Sequence, residues 1–132
     1  GSESPDRIAE IHVRTGVPVI KVIKVRDAGD IAAARAYADV AAMLLFDAKA
    51  PEALANPLPG GNGIAFDWGL LSREGEHEGF MLSGGLNPGN VAEAIDVTGA
   101  HAVDVSSGVE TAPGVKDAAA IVKFIETVRQ HG

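Results

Sequence analysis

Short polar or glycine-rich segments accompany three apolar runs of the sequence. Asp47 ends the run 43–47, Ser83 ends the run 80–83 and is followed by Gly84-Gly85, and the run 101–106 contains Asp104 and continues into Ser107-Gly108. If these runs are parallel strands, their carboxyl ends meet at one edge of a sheet, where α/β folds bind their ligands. The three segments are therefore predicted to form one site.

Two of these segments, taken together, favour phosphate binding. Gly84-Gly85 and Ser106-Ser107-Gly108 follow consecutive apolar runs, and small residues let backbone N–H groups approach an anion before a helix N-terminus. Either segment alone is more often an ordinary turn, but the loops after the last two strands of an α/β barrel recurrently hold phosphate. Residues 109–116 include Pro113-Gly114, which leaves room for a single extra helical turn that could complete such a site.

The two carboxylates allow more than one interpretation. Asp47 is either a cap that organises the end of its strand or a general acid or base. Asp104 stands between Val103 and Val105, so its side chain points either into the barrel or toward the helices. A buried carboxylate bonded to backbone or loop is an alternative for Asp104 of at least equal weight to a chemical role.

Composition excludes several classes of function. The net charge is −7, and no basic stripe is present, so no nucleic acid is an expected partner. The chain has no cysteine, and its four histidines lack metal-ligand spacing, so no disulfide and no metal site are predicted. No apolar run approaches the roughly 20 residues of a membrane span, and no signal peptide is visible, so the expected location is the cytoplasm.

The apolar runs alternate with helix-like patterns along the chain. Strands are predicted at 17–25, 43–47, 80–83 and 101–106. Helices are predicted to begin at Ser4-Pro5 and at Asn87-Pro88, where a capping residue precedes proline, and to occupy 30–37, 66–71 and 117–130. A helix followed by four strand–helix units implies a parallel sheet with helices packed outside it.

No linker divides the chain, so residues 1–132 are predicted to form a single domain. Its length is short for a closed eight-stranded α/β barrel, which typically has about 250 residues. The longest irregular stretch, 48–62, carries three prolines and ends at Gly60-Gly61-Asn62, with Gly63 directly after it. A loop of that length after a strand is often functional.

Ordered stretches of the sequence resemble the phosphoribosylanthranilate isomerase family of tryptophan biosynthesis. They are Leu45-Phe46-Asp47-Ala48-Lys49, Gly60-Gly61-Asn62-Gly63 with Phe66-Asp67-Trp68, Leu82-Ser83-Gly84-Gly85-Leu86-Asn87-Pro88 with Asn90-Val91, and Val103-Asp104-Val105-Ser106-Ser107-Gly108-Val109-Glu110 through Pro113-Gly114-Lys116-Asp117. The resemblance covers nearly the whole chain. It implies the C-terminal half of a (β/α)₈ TIM barrel, a parallel half-barrel of about four βα units.

The resemblance implies an Amadori rearrangement of N-(5'-phosphoribosyl)anthranilate without metal or organic cofactor. Asp47 matches the family's general acid, which protonates the furanose ring oxygen. Gly84, Gly85 and Ser106-Ser107-Gly108 match the loops that hold the substrate phosphate. Secondary candidates for the site are Asp104 and Gly61-Asn62-Gly63.

The chain departs from the family in one respect. The family's general base is a cysteine at the end of the first strand, and an arginine of the first half recognises the anthranilate carboxylate. Strands one to four are therefore expected to be absent, and the chain is expected to be inactive alone. The other half is expected to be a separate chain, a second copy, or part of a longer polypeptide. The alternative is a catalytically incomplete half-barrel that binds phosphate or serves assembly.

Overall fold

The four predicted strands form one parallel sheet in the computed structural model, which describes residues 1–48, 67–72 and 79–132. The strands are β1 (Ile20–Lys24), β2 (Met43–Asp47), β3 (Met81–Ser83) and β4 (Ala102–Val103), in the order β1-β2-β3-β4. The second strand has the predicted bounds, whereas the other three are shorter than their apolar runs. The predicted α/β fold with a parallel sheet is confirmed.

The first two helices begin at side-chain caps. Helix α1 (Pro5–Thr15) follows Ser4, whose hydroxyl accepts a hydrogen bond from the Arg7 amide, as the serine–proline pair predicts. Helix α2 (Ala28–Ala34) follows Asp27, whose carboxylate accepts from the amides of residues 29 and 30, and a 3₁₀ turn (Arg35–Tyr37) extends it. The predicted start at residue 30 was therefore wrong, because the aspartate three residues earlier is the cap.

The predicted start of the next long helix was also wrong. Helix α4 (Val91–Thr98) begins after Asn90, not after Asn87. The Asn87 carboxamide oxygen instead accepts from the amides of Gly89, at 2.8 Å, and Asn90, at 3.1 Å. These are the bonds that Asp27 makes as a cap, and the Val91 amide donates to the Asn87 carbonyl at 3.1 Å, so Asn87 caps a turn that leads into α4.

The remaining helices agree with the sequence pattern to within a few residues. Helix α3 (Gly69–Ser72) overlaps the predicted segment 66–71, of which residue 66 lies outside the described residues. Helix α5 (Ala118–His131) follows Asp117, whose carboxylate accepts from the Ala119 amide at 3.0 Å. In the described ranges no helix has the length and apolar character needed to cross a membrane.

The core lies between one face of the sheet and the helices. Alternate strand residues point to opposite faces, and Phe46 and Leu82 are fully buried on the helix side. They pack with Ile31 and Val91, while the ring of Phe80 meets that of Phe46 edge to face at 5.4 Å. This apolar layer fixes which strand residues point away from the helices.

The opposite face of the sheet is less covered at its β1 edge. Ile20 and Val22 are 50% and 40% exposed, whereas Lys21 between them is 4% exposed. The Lys21 ammonium donates to the Gly1 carbonyl and, at 3.1 Å, to the Glu3 carboxylate. Charge pairing therefore compensates the buried lysine on the helix side. That residues 1–132 form one domain stays a prediction.

Candidate functional site

Four polar residues lie side by side where the strands of the sheet end. Asp47 of β2 is in register with Lys24 of β1 and with Ser83 of β3. Asp104 follows β4 at the same level, because its amide donates to the Leu82 carbonyl at 2.8 Å. All four lie on the face opposite the helices, because their strand neighbours Ile23, Phe46 and Leu82 pack into the core. We call Lys24, Asp47, Ser83 and Asp104 the polar row.

Backbone hydrogen bonds on both sides hold Asp47 in the row. Its carbonyl accepts from the Val25 amide at 3.0 Å, and the Ala48 amide donates to the Ser83 carbonyl at 2.8 Å. The side chain of Asp47 is half-buried, and the apolar residues Met43 and Leu45 precede it on the same face. Asp47 thus stands on a rigid strand, in reach of anything that binds above the carboxyl edge of the sheet.

A side-chain hydrogen bond joins the ends of β3 and β4. The Ser83 hydroxyl donates to Oδ2 of Asp104 at 2.8 Å, and Asp104 is exposed. Of the alternatives that the sequence leaves open, Asp104 therefore points away from the helices. The alternative of a buried carboxylate bonded to backbone or loop was wrong, because Asp104 is exposed and its partner is the Ser83 hydroxyl.

The segment after β3 has the backbone conformation that its glycines suggest. Gly84 and Gly85 have φ angles of 94° and 67°, a region that side-chain-bearing residues rarely occupy. The Asn90 carboxamide closes the loop, since it donates to the Gly85 carbonyl at 2.9 Å and accepts from the Asn87 amide at 2.8 Å. Within the described residues, the Gly85 amide donates to no protein acceptor and is available to an anion.

The segment after β4 forms a 3₁₀ turn (Ser107–Val109), followed by an antiparallel hairpin of β5 (Glu110–Ala112) and β6 (Val115–Lys116). The extra helical turn predicted within 109–116 was therefore misplaced. Pro113 and Gly114 turn the chain back on itself there, with Gly114 at φ 79°. In the described part of the chain, the Ser107 and Gly108 amides also donate to no protein acceptor.

The two glycine-containing loops pack directly against each other. A β-carbon on Gly108 would overlap the carbonyl oxygen of Leu86 and stand 2.8 Å from its carbonyl carbon. Leu86 itself is buried in the core, so its backbone has little freedom to move aside. The absence of a side chain at Gly108 is what lets the two sets of amides lie together.

A network of charged side chains holds the segment that follows β4. The Lys116 ammonium donates to the Ser106 carbonyl at 2.8 Å, to the Ser106 hydroxyl at 3.2 Å and to Oε1 of Glu110 at 2.6 Å. The other carboxylate oxygen of Glu110 accepts from the Gly114 amide at 3.2 Å. The bond from Lys116, followed by that from Gly114, holds the pKa of Glu110 below its usual range.

The structure brings together the predicted residues of the strand ends, and three further residues stand beside them. Lys24 was missed, whereas Glu110 and Lys116 lie in the stretches that resemble the family but were given no role. The alternation of exposed and buried positions in 20–24 could have pointed to Lys24, whereas the pairing of Glu110 with Lys116 depends on the hairpin. The secondary candidates Gly61, Asn62 and Gly63 lie outside the described residues. Among the residues described, no group of histidine and carboxylate side chains could hold a metal ion.

Nearly the whole chain is similar to known proteins of one family. The model of the N-(5'phosphoribosyl)anthranilate (PRA) isomerase family matches residues 1–127. The N-(5'-phosphoribosyl)anthranilate isomerase of Paramagnetospirillum magneticum is 51% identical over 129 residues, which make up 98% of this chain and 59% of the relative. That of Rhizobium johnstonii is 53% identical over 130 residues, 98% of this chain and 58% of the relative.

Solved structures give the same result. The crystal structure of phosphoribosyl anthranilate isomerase from Thermotoga maritima matches with a TM-score of 0.81 and 40% identity, over 98% of this chain and 59% of that one. A second isomerase structure, in complex with reduced 1-(o-carboxyphenylamino)-1-deoxyribulose 5-phosphate, matches with a TM-score of 0.77 and 35% identity, over 98% and 57%. The chain spans 58% to 59% of the length of the two relatives named above.

Proposed function

The chain belongs to the N-(5'-phosphoribosyl)anthranilate isomerase family, and we propose that it supplies the phosphate-binding side and the general acid of that isomerase. The reaction is the Amadori rearrangement of N-(5'-phosphoribosyl)anthranilate to the carboxyphenylamino-deoxyribulose phosphate, a step of tryptophan biosynthesis. The observation that carries the proposal is the position of Asp47 in the polar row, one strand away from Ser83 and the Gly84-Gly85 loop.

In this proposal the substrate phosphate lies above the ends of β3 and β4. The amides of Gly85, Ser107 and Gly108 lack protein acceptors within the described residues, and they suit the oxygens of a phosphate. The chain carries a net charge of −7, so oriented N–H groups are a better source of anion affinity here than a general positive field. The ligand in the second solved structure, a deoxyribulose 5-phosphate derivative, supports a phosphorylated substrate.

Asp47 protonates the furanose ring oxygen, and the sugar then opens to a Schiff base. Removal of the C2' proton gives the enolamine, which tautomerises to the aminoketone. Asp47 suits the first step because it stands on a rigid strand between Lys24 and Ser83 of the row. Lys24 lies beyond Asp47, on the side away from the phosphate loops, and its ammonium is placed to attract the anthranilate carboxylate.

The general base is proposed to come from outside these 132 residues. The family's base is a cysteine, and the chain has none. We propose that the chain corresponds to the C-terminal half of a (β/α)₈ barrel and acts with an N-terminal half that completes it, as a separate chain, as a second copy or within a longer polypeptide. The exposed side chains of Ile20 and Val22, on the face of the sheet away from the helices, support further barrel elements that cover this face, because exposed apolar surface favours burial.

Reconstitution tests the proposal. The first half of a relative's barrel, carrying its cysteine, is added to this chain, and isomerisation is measured by the change in anthranilate fluorescence. We expect turnover from the mixture but none from the chain alone. Asp47→Asn is expected to lower kcat by about 10²- to 10⁴-fold, the usual contribution of a general acid. The matched control is Asp39→Asn, an exposed aspartate outside the row.

Two outcomes contradict the proposal. Full activity of Asp47→Asn in the mixture would exclude its role as the acid, and turnover by the chain alone would exclude the need for an external base. Phosphate binding with no turnover in any mixture favours the alternative, a half-barrel module that binds phosphate without catalysis. Two observations support that alternative: the chain spans 58% to 59% of the length of the two relatives, and it has no cysteine.

A further inference from the structure

The ammonium group of Lys116 has no donor left for a ligand. A lysine ammonium carries three N–H donors and no acceptor. Lys116 directs them to the Ser106 carbonyl, the Ser106 hydroxyl and Oε1 of Glu110, at distances of 2.8, 3.2 and 2.6 Å. All three partners belong to the loop and hairpin that follow β4, so the lysine ties this segment to itself.

We propose that Lys116 is a positioning residue that fixes the 106–109 turn for anion binding without touching the anion. The proposal rests on the proposed function, in which the Ser107 and Gly108 amides hold phosphate. Lys116 anchors the carbonyl of Ser106, and the Val109 amide donates to that same carbonyl at 3.4 Å to close the turn. The orientation of the two amides between these points therefore depends on the lysine.

Glu110 keeps the lysine in place. Its side chain is only 13% exposed, compared with 46% for Lys116, and its second oxygen accepts from the Gly114 amide across the hairpin. The carboxylate thus binds the hairpin turn and the ammonium at the same time. It also balances the lysine charge, so that the anion is recognised by backbone amides and not by an ion pair.

Direct binding of the anion by Lys116 predicts the opposite effect of one substitution. If the ammonium were a phosphate ligand, Glu110→Gln would free it from a competing carboxylate and strengthen phosphate binding. If Lys116 is a positioning residue, the same change loosens the turn and weakens binding. The sign of the change in affinity therefore separates the two roles.

The experiment is a titration of the chain with inorganic phosphate, followed by the amide NMR signals of Gly85, Ser107 and Gly108. Lys116→Met is expected to weaken binding about tenfold, because it removes three bonds from a charged donor. Lys116→Arg keeps the charge and several donors, and it is expected to restore affinity to within about threefold. Lys123→Met, on the exposed surface of α5, is the matched control and should bind as the parent does.

Amide hydrogen exchange of Val109 without phosphate supplies a readout that does not depend on the anion. Faster exchange in Lys116→Met and Glu110→Gln, but not in Lys123→Met, is expected. Unchanged exchange and unchanged affinity in Lys116→Met would overturn the inference, as would stronger phosphate binding by Glu110→Gln. If the parent chain shows no phosphate shifts, the proposed anion site fails, and the exchange data alone then decide whether Lys116 fixes the turn.

Discussion

Gly108 lies directly on the carbonyl group of Leu86. A β-carbon at Gly108 would stand 2.8 Å from the carbonyl carbon of Leu86 and 3.1 Å from Cα of Asn87. These are backbone atoms, which cannot rotate out of the way as a flexible side chain does. The contact joins the loop after β3 to the loop after β4, and it makes the geometry of one depend on the other.

Gly108→Ala is therefore expected to separate the two loops. We expect the change to lower the free energy of unfolding by about 1–3 kcal/mol, as overpacking does, and to abolish the binding of inorganic phosphate. Urea denaturation and a phosphate titration of the same sample measure the two effects. Gly16→Ala is the control, because Gly16 ends α1 with φ 68° and has open space around it.

The free energy of unfolding of Gly16→Ala is expected to fall by about 1 kcal/mol through backbone strain alone. Its phosphate affinity should equal that of the parent, because it lies far from the loops. Phosphate binding by Gly108→Ala at parental strength would show that the two loops do not need their present contact.

The bond from Ser83 to Asp104 is expected to couple the two residues energetically. In a double-mutant cycle of Ser83→Ala and Asp104→Ala, we expect a coupling energy of about 0.5–1 kcal/mol, small because Asp104 is exposed. Urea denaturation of the four proteins gives the number. The cycle of Ser83→Ala with Asp39→Ala should be additive, and a zero coupling energy in the first cycle would contradict a stabilising bond.

Lys24→Met tests the far end of the polar row. In the reconstituted enzyme, KM is expected to rise about fivefold with little change in kcat, as for a solvent-accessible ion pair worth about 1 kcal/mol. The effect should shrink as salt is added, because screening weakens such a pair. Lys123→Met serves again as the control. An unchanged KM at low salt would remove Lys24 from the substrate-binding residues.

Acid stability is expected to depend on Asp30. Hydrogen bonds from the Arg26 guanidinium, and then from its amide, lower the pKa of Asp30 from 3.8 to about 2. Because the pKa is lower in the folded chain, the stabilisation is complete above about pH 4 and is lost as the pH falls toward 2. Asp30→Asn should therefore be less stable than the parent at pH 6 and differ little from it near pH 2.

Urea denaturation at the two pH values measures this difference, with Asp39→Asn as the control for the loss of one carboxylate. If Asp30→Asn is less stable than the parent by the same free energy of unfolding at both pH values, the pairing with Arg26 does not control acid stability.

The parts of the fold that depend on local sequence were predictable. Ser4 and Asp117 are helix caps because a short polar side chain precedes a helical pattern, and β2 has the predicted bounds because its apolar run ends at a charged residue. The start of α4 was not predictable in the same way, because Asn87 caps the turn before the helix and the Asn90 side chain makes no capping bond. The Asn90 carboxamide bonds instead to the Gly85 carbonyl and the Asn87 amide, within the loop before the helix.

The site was predictable only as far as its strand ends. The left-handed conformation of Gly84 and Gly85 agrees with the reading of the glycine pair, while its role in phosphate binding stays a prediction. Lys24 was missed, and Lys116 was quoted within a stretch that resembles the family but was given no role. The position of Lys24 depends on the register between β1 and β2, and that of Lys116 depends on the pairing of β5 with β6. Neither pairing can be predicted from the local sequence.

Successive residues of β2 point to opposite faces of the sheet, so the number of residues in this strand is critical. Phe46 is fully buried among the helices, and its neighbour Asp47 stands in the polar row. Deletion of Leu44 would move each of the two to the opposite face, so that a carboxylate enters the core and an aromatic ring takes its place in the polar row. The core and the polar row thus depend on adjacent residues of β2, and we expect the strand to tolerate substitutions better than changes of length.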